Sequence, residues 1–335
     1  MASSVFSKVD EYGFERPEDF DYETYEDFMS QYLVVLAKRA KKWHELIGEG
    51  KSLKRSLTVK RYVRKGIPGE HRGMVWMTVS GADIMREELG HDWYQRLLSG
   101  PKDQEIIDTV KMDLPRTYPD NIFFNAADDH QIRLCNILVA YAHDNKEVGY
   151  CQGLNYIAGL LLLVTKDDET TFWLLKVLVE RVLPKYYTRT MDGVITDIAV
   201  LEELVRAKVP DVYRHVRNVG LPWAVITTKW FICLFAEVLP IETVLRVWDC
   251  LFYEGSKIIF RVCITLIKRN REQLLQCSDF SSLAECFKEI THDSLVMQCH
   301  DFMQSIFKTP GSLPASSISR LRTKLAQHKL DQQPR

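Results

Sequence analysis

Neither sign of charge is in surplus in this sequence: 44 Lys and Arg face 45 Asp and Glu, a net charge of −1. A chain without a cationic excess is not built for broad nucleic-acid binding, so an electrostatic partner has to meet a local patch. The eight cysteines contain no CxxC pair, and no HExxH pattern occurs, so nothing in the spacing points to a metal site. Most of those cysteines lie in apolar runs such as WFICLF and RVWDCLF, where a free thiol behaves as a small buried hydrophobe. The opening residues lack the organisation of a secretory signal, and no Asn-x-Ser/Thr sequon occurs. The expected compartment is therefore reducing and cytosolic. The longest apolar run, YIAGLLLLV (156–164), is too short to cross a bilayer.

Absent motifs also narrow the chemistry. Without a GxxxxGK[ST] loop the chain does not cradle a nucleotide in the P-loop manner. The DDH stretch at 128–130 reads as a solvated turn. Cys151, with His143 upstream and Gln152 beside it, has the elements of a thiol nucleophile, but neither a papain-like nor a caspase-like context surrounds it.

What is present is helical periodicity almost throughout, with little period-two alternation and no solenoid repeat, and the expected fold class is all-α. Gly66 and Pro68 make a turn into compact structure, after which Val75 and Trp76 start an apolar face. HQIRLCNILVAYAHDN places Ile132, Cys135, Leu138, Val139 and Ala142 on one stripe. DDETTFWLLKVLVERVL suggests a helix capped by Asp168 or Thr170. PWAVITTKWFICLFAEVLP reads as a helix closed by Pro240, and IETVLRVWDCLFYEG as one closed by Gly255. The polar tail after Phe307 is expected to fray, apart from a short helix near Leu321. At the other end, an acidic, aromatic stretch of about thirty residues is followed by clustered positive charge between Lys38 and Lys65. Two readings of that cluster stay open: solvated faces of an N-terminal extension, or a basic strip facing anionic lipid or an acidic partner.

Polar groups gather in two places where the helices are interrupted. In VKMDLPRTYPDN (110–121), Asp113 and Arg116 sit three apart, with Pro115 and Pro119 stiffening the chain around them. In VGYCQGLNYIAG (148–159), Tyr150, Gln152 and Asn155 lie among glycines, and Gly153 leaves room for another backbone beside Gln152. A planar, always-charged guanidinium and an amide able to orient water are the equipment for hydrolysing a phosphoanhydride. A chain with no phosphate cradle would offer both groups to a nucleotide held by another protein. Taken singly, a loop Arg is most often a surface ion-pair partner and a Gln near a helix start most often a cap. Spacing alone leaves these readings open.

Four ordered segments resemble the motifs of the TBC-domain activators of Rab GTPases. GIPGEHRGMVW (66–76) is similar to the domain-opening motif, VKMDLPRTYP (110–119) to IxxDxxRTxP and YCQGLNYIAG (150–159) to YxQGMN. VLRVWDCLFYEG (244–255) is similar to the distal Trp-Asp motif. Val110 replaces Ile and Leu154 replaces Met, both apolar for apolar. The resemblance implies a single helical TBC domain of two packed lobes. It would divide the chain into an extension over 1–65, the Rab-activating core over 66–255, packed helices over 256–308 and a tail over 309–335. The implied partner is a Rab-family small GTPase in its GTP-bound state, with vesicle trafficking as the setting and membrane contact mainly through the Rab. The chain would have no cofactor or metal of its own, because GTP and Mg²⁺ come with the Rab. Nor would it hydrolyse GTP alone. Arg116 would enter the Rab nucleotide site and Gln152 would position the attacking water. Asp113 would hold the guanidinium by a forked hydrogen bond, Thr117 would satisfy loop backbone groups, and Tyr150, Gly153 and Asn155 would support the Gln152 loop. Arg72 is expected to tie the opening helix to the core. A non-catalytic Rab-binding adaptor is the alternative.

Overall fold

The run LNYIAGLLLLVT has no polar stripe, and a helix of that kind is stable only when other elements surround it. In the computed structural model, which describes residues 8–331 apart from 17, 19, 49–52 and 126–128, this run is buried almost throughout. The chain divides between Val177 and Leu178 into two compact units. The first contains α1 (Tyr22–Gly48), α2 (Leu57–Lys65), α3 (Arg72–Ser80), α4 (Ala82–Leu89), α5 (Trp93–Ser99), α6 (Gln104–Asp113), α7 (His130–Asp144), α8 (Leu154–Thr165) and α9 (Asp168–Val177). Helix α8 is the apolar run, and α3, α7 and α9 pack around it. Each fully buried Leu there contributes about 1.5–3 kcal/mol of transfer free energy. A buried ion pair fixes the helices outside it. Asp144 on α7 accepts from Lys176 Nζ on α9 at 2.6 Å and from Trp93 Nε1 on α5 at 2.9 Å.

In the second unit a short π-helical segment, Leu178–Val182, leads into α10 (Asp192–Lys208), α11 (Pro210–Val219), α12 (Trp223–Ile232), α13 (Ile241–Glu254) and α14 (Lys257–Arg269). These are followed by α15 (Arg271–Gln276), α16 (Phe280–Glu289), α17 (Ser294–Met297), α18 (Cys299–Lys308) and α19 (Ala315–Asp331). Helix α10 is the hub, packing against α11, α12, α14 and α19. The all-α expectation holds: among the described residues no β-strand forms, only two isolated bridges.

Gly66 (φ 110°) ends α2 and Gly255 (φ 80°) ends α13, as their sequence positions suggest. Four local expectations are corrected. The cap of α9 is Asp167, whose Oδ1 accepts from Thr170 N at 2.7 Å, while Asp168 instead binds Arg133 Nε at 2.7 Å. On α7 Leu138, Val139 and Ala142 are buried as expected, but Ile132 is exposed and Cys135 half-buried, because the inward face also takes Leu134, Ile137 and Tyr141 and so turns away from Ile132. Helix α12 stops at Ile232, since Leu234 and Phe235 take left-handed backbone angles (φ 48° and 65°). That turn buries Phe235 and presents the Leu234 carbonyl to Trp248 Nε1 at 2.9 Å, leaving Pro240 to precede α13.

The tail is the fourth correction: a helix is present around Leu321 as expected, but it runs over 17 residues where the flanking sequence was expected to fray. It forms α19, which buries Ile318 and sends Arg322 to the buried Asp197 of α10 through two hydrogen bonds of 2.6 Å. Tyr186 donates to the same carboxylate, and Arg322 also reaches Ser256 Oγ at 2.8 Å. Removing one partner of such a pair strands a buried charge. Arg322→Ala is expected to lower the free energy of unfolding by about 3 kcal/mol, the low end for a broken buried pair because Tyr186 still donates. Urea unfolding followed by circular dichroism measures this, and a change within about 0.5 kcal/mol would mean that α19 is not part of the cooperative structure.

Candidate functional site

Helix α6 ends at Asp113 and runs directly into one 3-10 turn, Leu114–Arg116. Pro115 suits that turn, where its fixed φ is preorganised and a missing N–H costs little. Thr117 is extended (φ −85°, ψ 104°), and its Oγ1 donates to the Asp113 carbonyl at 2.7 Å, as expected of a residue that satisfies the loop backbone. Tyr118 then adopts φ 50° immediately before Pro119. A non-glycine residue held there carries about 1–3 kcal/mol of strain and persists only when its surroundings over-determine it. They do so here: the Tyr118 ring meets Phe14 edge-on at 5.2 Å and Tyr156 at 5.5 Å, and its hydroxyl donates to the Tyr156 carbonyl at 2.8 Å.

The second segment enters α8 through Gly153, whose φ of 108° with ψ −33° is a conformation that side-chain-bearing residues avoid. The glycine is thus required by its own backbone. A close approach occurs at Gly159, where an added Cβ would lie 3.2 Å from the Tyr118 ring and 3.3 Å from Thr117 Cγ2. The buried Asn155 ties the two segments together, accepting from Gly153 N at 2.9 Å and donating to Thr117 Oγ1 at 2.8 Å. Tyr156 adds a further tie, its hydroxyl donating to the Arg116 carbonyl at 3.1 Å.

At the centre lies the Asp113 carboxylate, buried at the end of α6. One oxygen accepts from Arg116 Nη2 and the other from the Tyr150 hydroxyl at 2.5 Å. The expected forked contact is corrected to a single-pronged one, because Tyr150 occupies the second oxygen. Tyr150 accordingly supports the Arg116 side of the site rather than Gln152 directly. Burial first, and then the hydrogen bond to Asp113, pushes the Tyr150 phenol well above its ordinary range, so it stays a donor. Arg116 leaves 51% of its side chain exposed above this buried mount. Gln152 is also exposed, and among the described residues its side-chain amide makes no hydrogen bond.

Cys151 has no base. Burial first, then the charge of Asp113, raises its pKa. His143 is engaged elsewhere, with Nδ1 donating to the Val139 carbonyl at 2.7 Å and Nε2 accepting from Asp103 N at 2.7 Å. Of the DDH stretch, Asp128 lies outside the described residues, while His130 opens α7 against the rings of Phe123 and Phe124. Among the described residues no group of three or more acidic, His or Cys side chains is arranged to hold a metal.

The N-terminal segment is where the sequence reading missed most. Residues 9–16 fold back on themselves and pair with the loop that follows Arg116 through a Phe14–Asn121 bridge and an Ile122 N to Gly13 O bond of 2.9 Å. The fully buried Asn121 donates to the Tyr12 carbonyl at 2.9 Å and accepts from Phe123 N at 3.0 Å. Arg72, buried as a structural residue should be, donates to the Tyr12 hydroxyl at 2.7 Å. Only the run of aromatics and Gly13 in DEYGFERP hinted at this strap.

The sequence pattern of the Rab-GTPase-TBC domain family matches residues 69–275. The chain belongs to that family. It is 51% identical to human growth hormone-regulated TBC protein 1 over 317 residues, covering 94% of each chain. It is 50% identical to the zebrafish (Danio rerio) growth hormone-regulated TBC protein 1-A, covering 94% of this chain and 89% of that one. Among solved structures, the Chlamydomonas flagellar RabGAP TBC domain superposes with a TM-score of 0.78 at 30% identity, over 90% of this chain and 99% of that one. The TBC motif residues Asp113, Arg116, Tyr150, Gln152 and Asn155 thus lie on two segments fastened together.

Replacing Tyr150 by Phe removes one donor from a buried carboxylate, and the expected loss of stability is about 1–3 kcal/mol. The phenol's folded pKa is raised, so the stability it gives is present below about pH 10 and declines at higher pH, where the unfolded chain ionises first. Tyr150→Phe should therefore show a shallower fall in stability above about pH 10 than the parent. Denaturant titrations across that range measure both effects, and equal slopes would contradict the buried Tyr150–Asp113 contact.

Proposed function

We propose that the chain is a GTPase-activating protein that supplies Arg116 and Gln152, in trans, to a Rab-family GTPase in its GTP-bound state. The observation that carries this reading is the contrast within the site. A guanidinium and a carboxamide reach solvent from two adjoining loops that are tied together beneath them by the buried, hydrogen-bonded Asp113, Thr117 and Asn155. Such a mount fixes the backbone from which both side chains project and ties the guanidinium to Asp113 before a partner arrives, and preorganised charge is what stabilises a transition state at little reorganisation cost.

Arg116 neutralises charge that develops on the transferring phosphoryl group and its leaving oxygen. Gln152, which can donate and accept at once, orients the water that attacks. Asp113, Tyr150, Thr117, Gly153 and Asn155 set the positions of these two, and Arg72 acts further back, through Tyr12. An arginine supplied in this way is worth roughly 10³–10⁵ in rate, or about 4–7 kcal/mol of barrier. Nucleotide and Mg²⁺ belong to the Rab, and the chain contributes side chains alone. Acting on Rab proteins, it would regulate vesicle trafficking from the cytosol and meet endomembranes through the membrane-borne Rab. No helix among the described residues is long and apolar enough to cross a membrane.

Single-turnover GTP hydrolysis by a panel of Rabs, with the chain at sub-stoichiometric amounts, tests the reading. Arg116→Lys keeps the charge but loses the planar fork, and the acceleration is expected to drop by at least about a hundredfold. Gln152→Ala should be comparably damaging with an unchanged circular dichroism spectrum. Acceleration that survives both substitutions would overturn the mechanism. Rab binding with no acceleration by the parent chain would instead make it an adaptor.

A further inference from the structure

Residues 38–65 hold eleven Lys and Arg against two Glu, while the remainder of the chain, with 33 Lys and Arg against 43 Asp and Glu, is net acidic. The near-neutral total therefore conceals strong segregation of charge. The fold concentrates it further. Trp43 of α1 is buried, donates to the Gly66 carbonyl at 2.9 Å and meets the Tyr62 ring at 6.1 Å, which fastens the end of α1 to α2. Val59 and Val63 turn the apolar face of α2 inward. Leu57, Arg61 and Lys65, spaced four apart, then share one exposed stripe of α2, and Val34, Lys38 and Lys42 repeat that spacing on α1.

Two features separate this surface from an ordinary solvated face. First, its cations neighbour one another: Lys65 is shifted down by partial burial and then by Arg61, Lys42 and Arg39, with no carboxylate among the causes. Like charge gathered on one face disfavours the compact state, and an external anion relieves it. Second, each stripe begins with an aliphatic side chain in water, Leu57 at 86% exposure and Val34 at 56%. Cations beside exposed aliphatics match the layered chemistry of a bilayer surface, with phosphates outside and acyl chains beneath. A purely acidic protein surface would leave the aliphatics without a counterpart.

We propose that the α1–α2 surface docks directly on anionic phospholipid, with Lys38, Lys42, Arg61 and Lys65 meeting headgroup phosphates and Leu57 and Val34 entering the interfacial layer. This contact uses neither the Arg116 nor the Gln152 loop and needs no Rab, and it stands or falls independently of the catalytic reading.

The test is co-sedimentation of the full chain with phosphatidylcholine vesicles, alone or with one-third phosphatidylserine, in the absence of Rab. Binding is expected only to the anionic vesicles. It should weaken steeply as salt rises from about 0.1 M to about 1 M, where the screening length falls from about 10 to about 3 Å. Joint reversal by Lys38→Glu, Lys42→Glu, Arg61→Glu and Lys65→Glu should weaken it by at least about a hundredfold. Leu57→Asp alone should cause a severalfold loss while keeping the salt dependence. Reversal of four exposed cations in the second unit (Lys229→Glu, Arg269→Glu, Lys288→Glu and Arg320→Glu) is the control and should leave binding intact. Thermal unfolding checks that each variant is folded. Equal binding to neutral vesicles, insensitivity to the α1–α2 reversal, or retention of a soluble polyanion without vesicle binding would each overturn the proposal.

Discussion

A carboxylate taken out of water must be compensated on both oxygens, and in this chain Asp113 meets that demand by recruiting one residue from each functional loop. Arg116 comes from its own turn and Tyr150 from thirty-seven residues downstream. Because neither partner can move far without exposing a bare oxygen to an apolar surrounding, the two loops are held in a fixed relation. The remaining ties, Asn155 to Thr117, Tyr156 to the Arg116 carbonyl and Tyr118 to the Tyr156 carbonyl, are weaker individually and act on a geometry that Asp113 already restricts. The position of Asp113 in turn rests on α6 ending where it does and on α8 being buried almost throughout, so the apolar packing of the first unit feeds straight into the site.

Strain and support are balanced around Tyr118. A left-handed tyrosine ahead of a proline is unfavourable by itself, and it directs the chain from Arg116 back toward the strap of residues 9–16. Phe14 and Tyr156 flank its ring, and Asn121 anchors the far end of the turn through the Tyr12 carbonyl. The family pattern begins only at residue 69, so this buttress lies outside it, although it contacts the very loop that defines the site. A segment that reads as a detachable extension is therefore part of the loop's support.

How far the sequence disclosed this depends on whether a feature is local. The helical fold was legible because an apolar period carries it, and a short motif singled out Arg116 and Gln152 on the two segments that the fold brings together. Gly66 announced a turn and Gly255 a helix end, since positive φ favours glycine. The strap was not legible, because Asn121 and Tyr12 are 109 residues apart and neither has a pattern that names the other. The same holds for α19, whose polar sequence looks frayed until Arg322 finds Asp197, 125 residues earlier. Left-handed Tyr118, Leu234 and Phe235 were equally hidden: nothing in a tyrosine, leucine or phenylalanine signals that tertiary contacts will override its preference. The fork expected between Asp113 and Arg116 failed for a related reason, since only the fold brings Tyr150 to claim the second oxygen.

That single-pronged contact has a consequence for how the guanidinium can act. A fully forked pair would occupy both faces of the recognition edge and bind Arg116 as tightly as a carboxylate can. Sharing Asp113 with a tyrosine that remains protonated lowers the charge density left for Arg116, and half of the side chain stays in water, where the attraction between opposite charges is heavily screened. The guanidinium is thus oriented without being sequestered. In the proposed reaction a phosphate group, carrying more charge and more acceptor oxygens than one half-committed carboxylate, would compete for the remaining donors on favourable terms. Tyr150 accordingly serves two ends with one hydroxyl: it satisfies the buried carboxylate that holds the loop, and it weakens that carboxylate's claim on the arginine the loop presents.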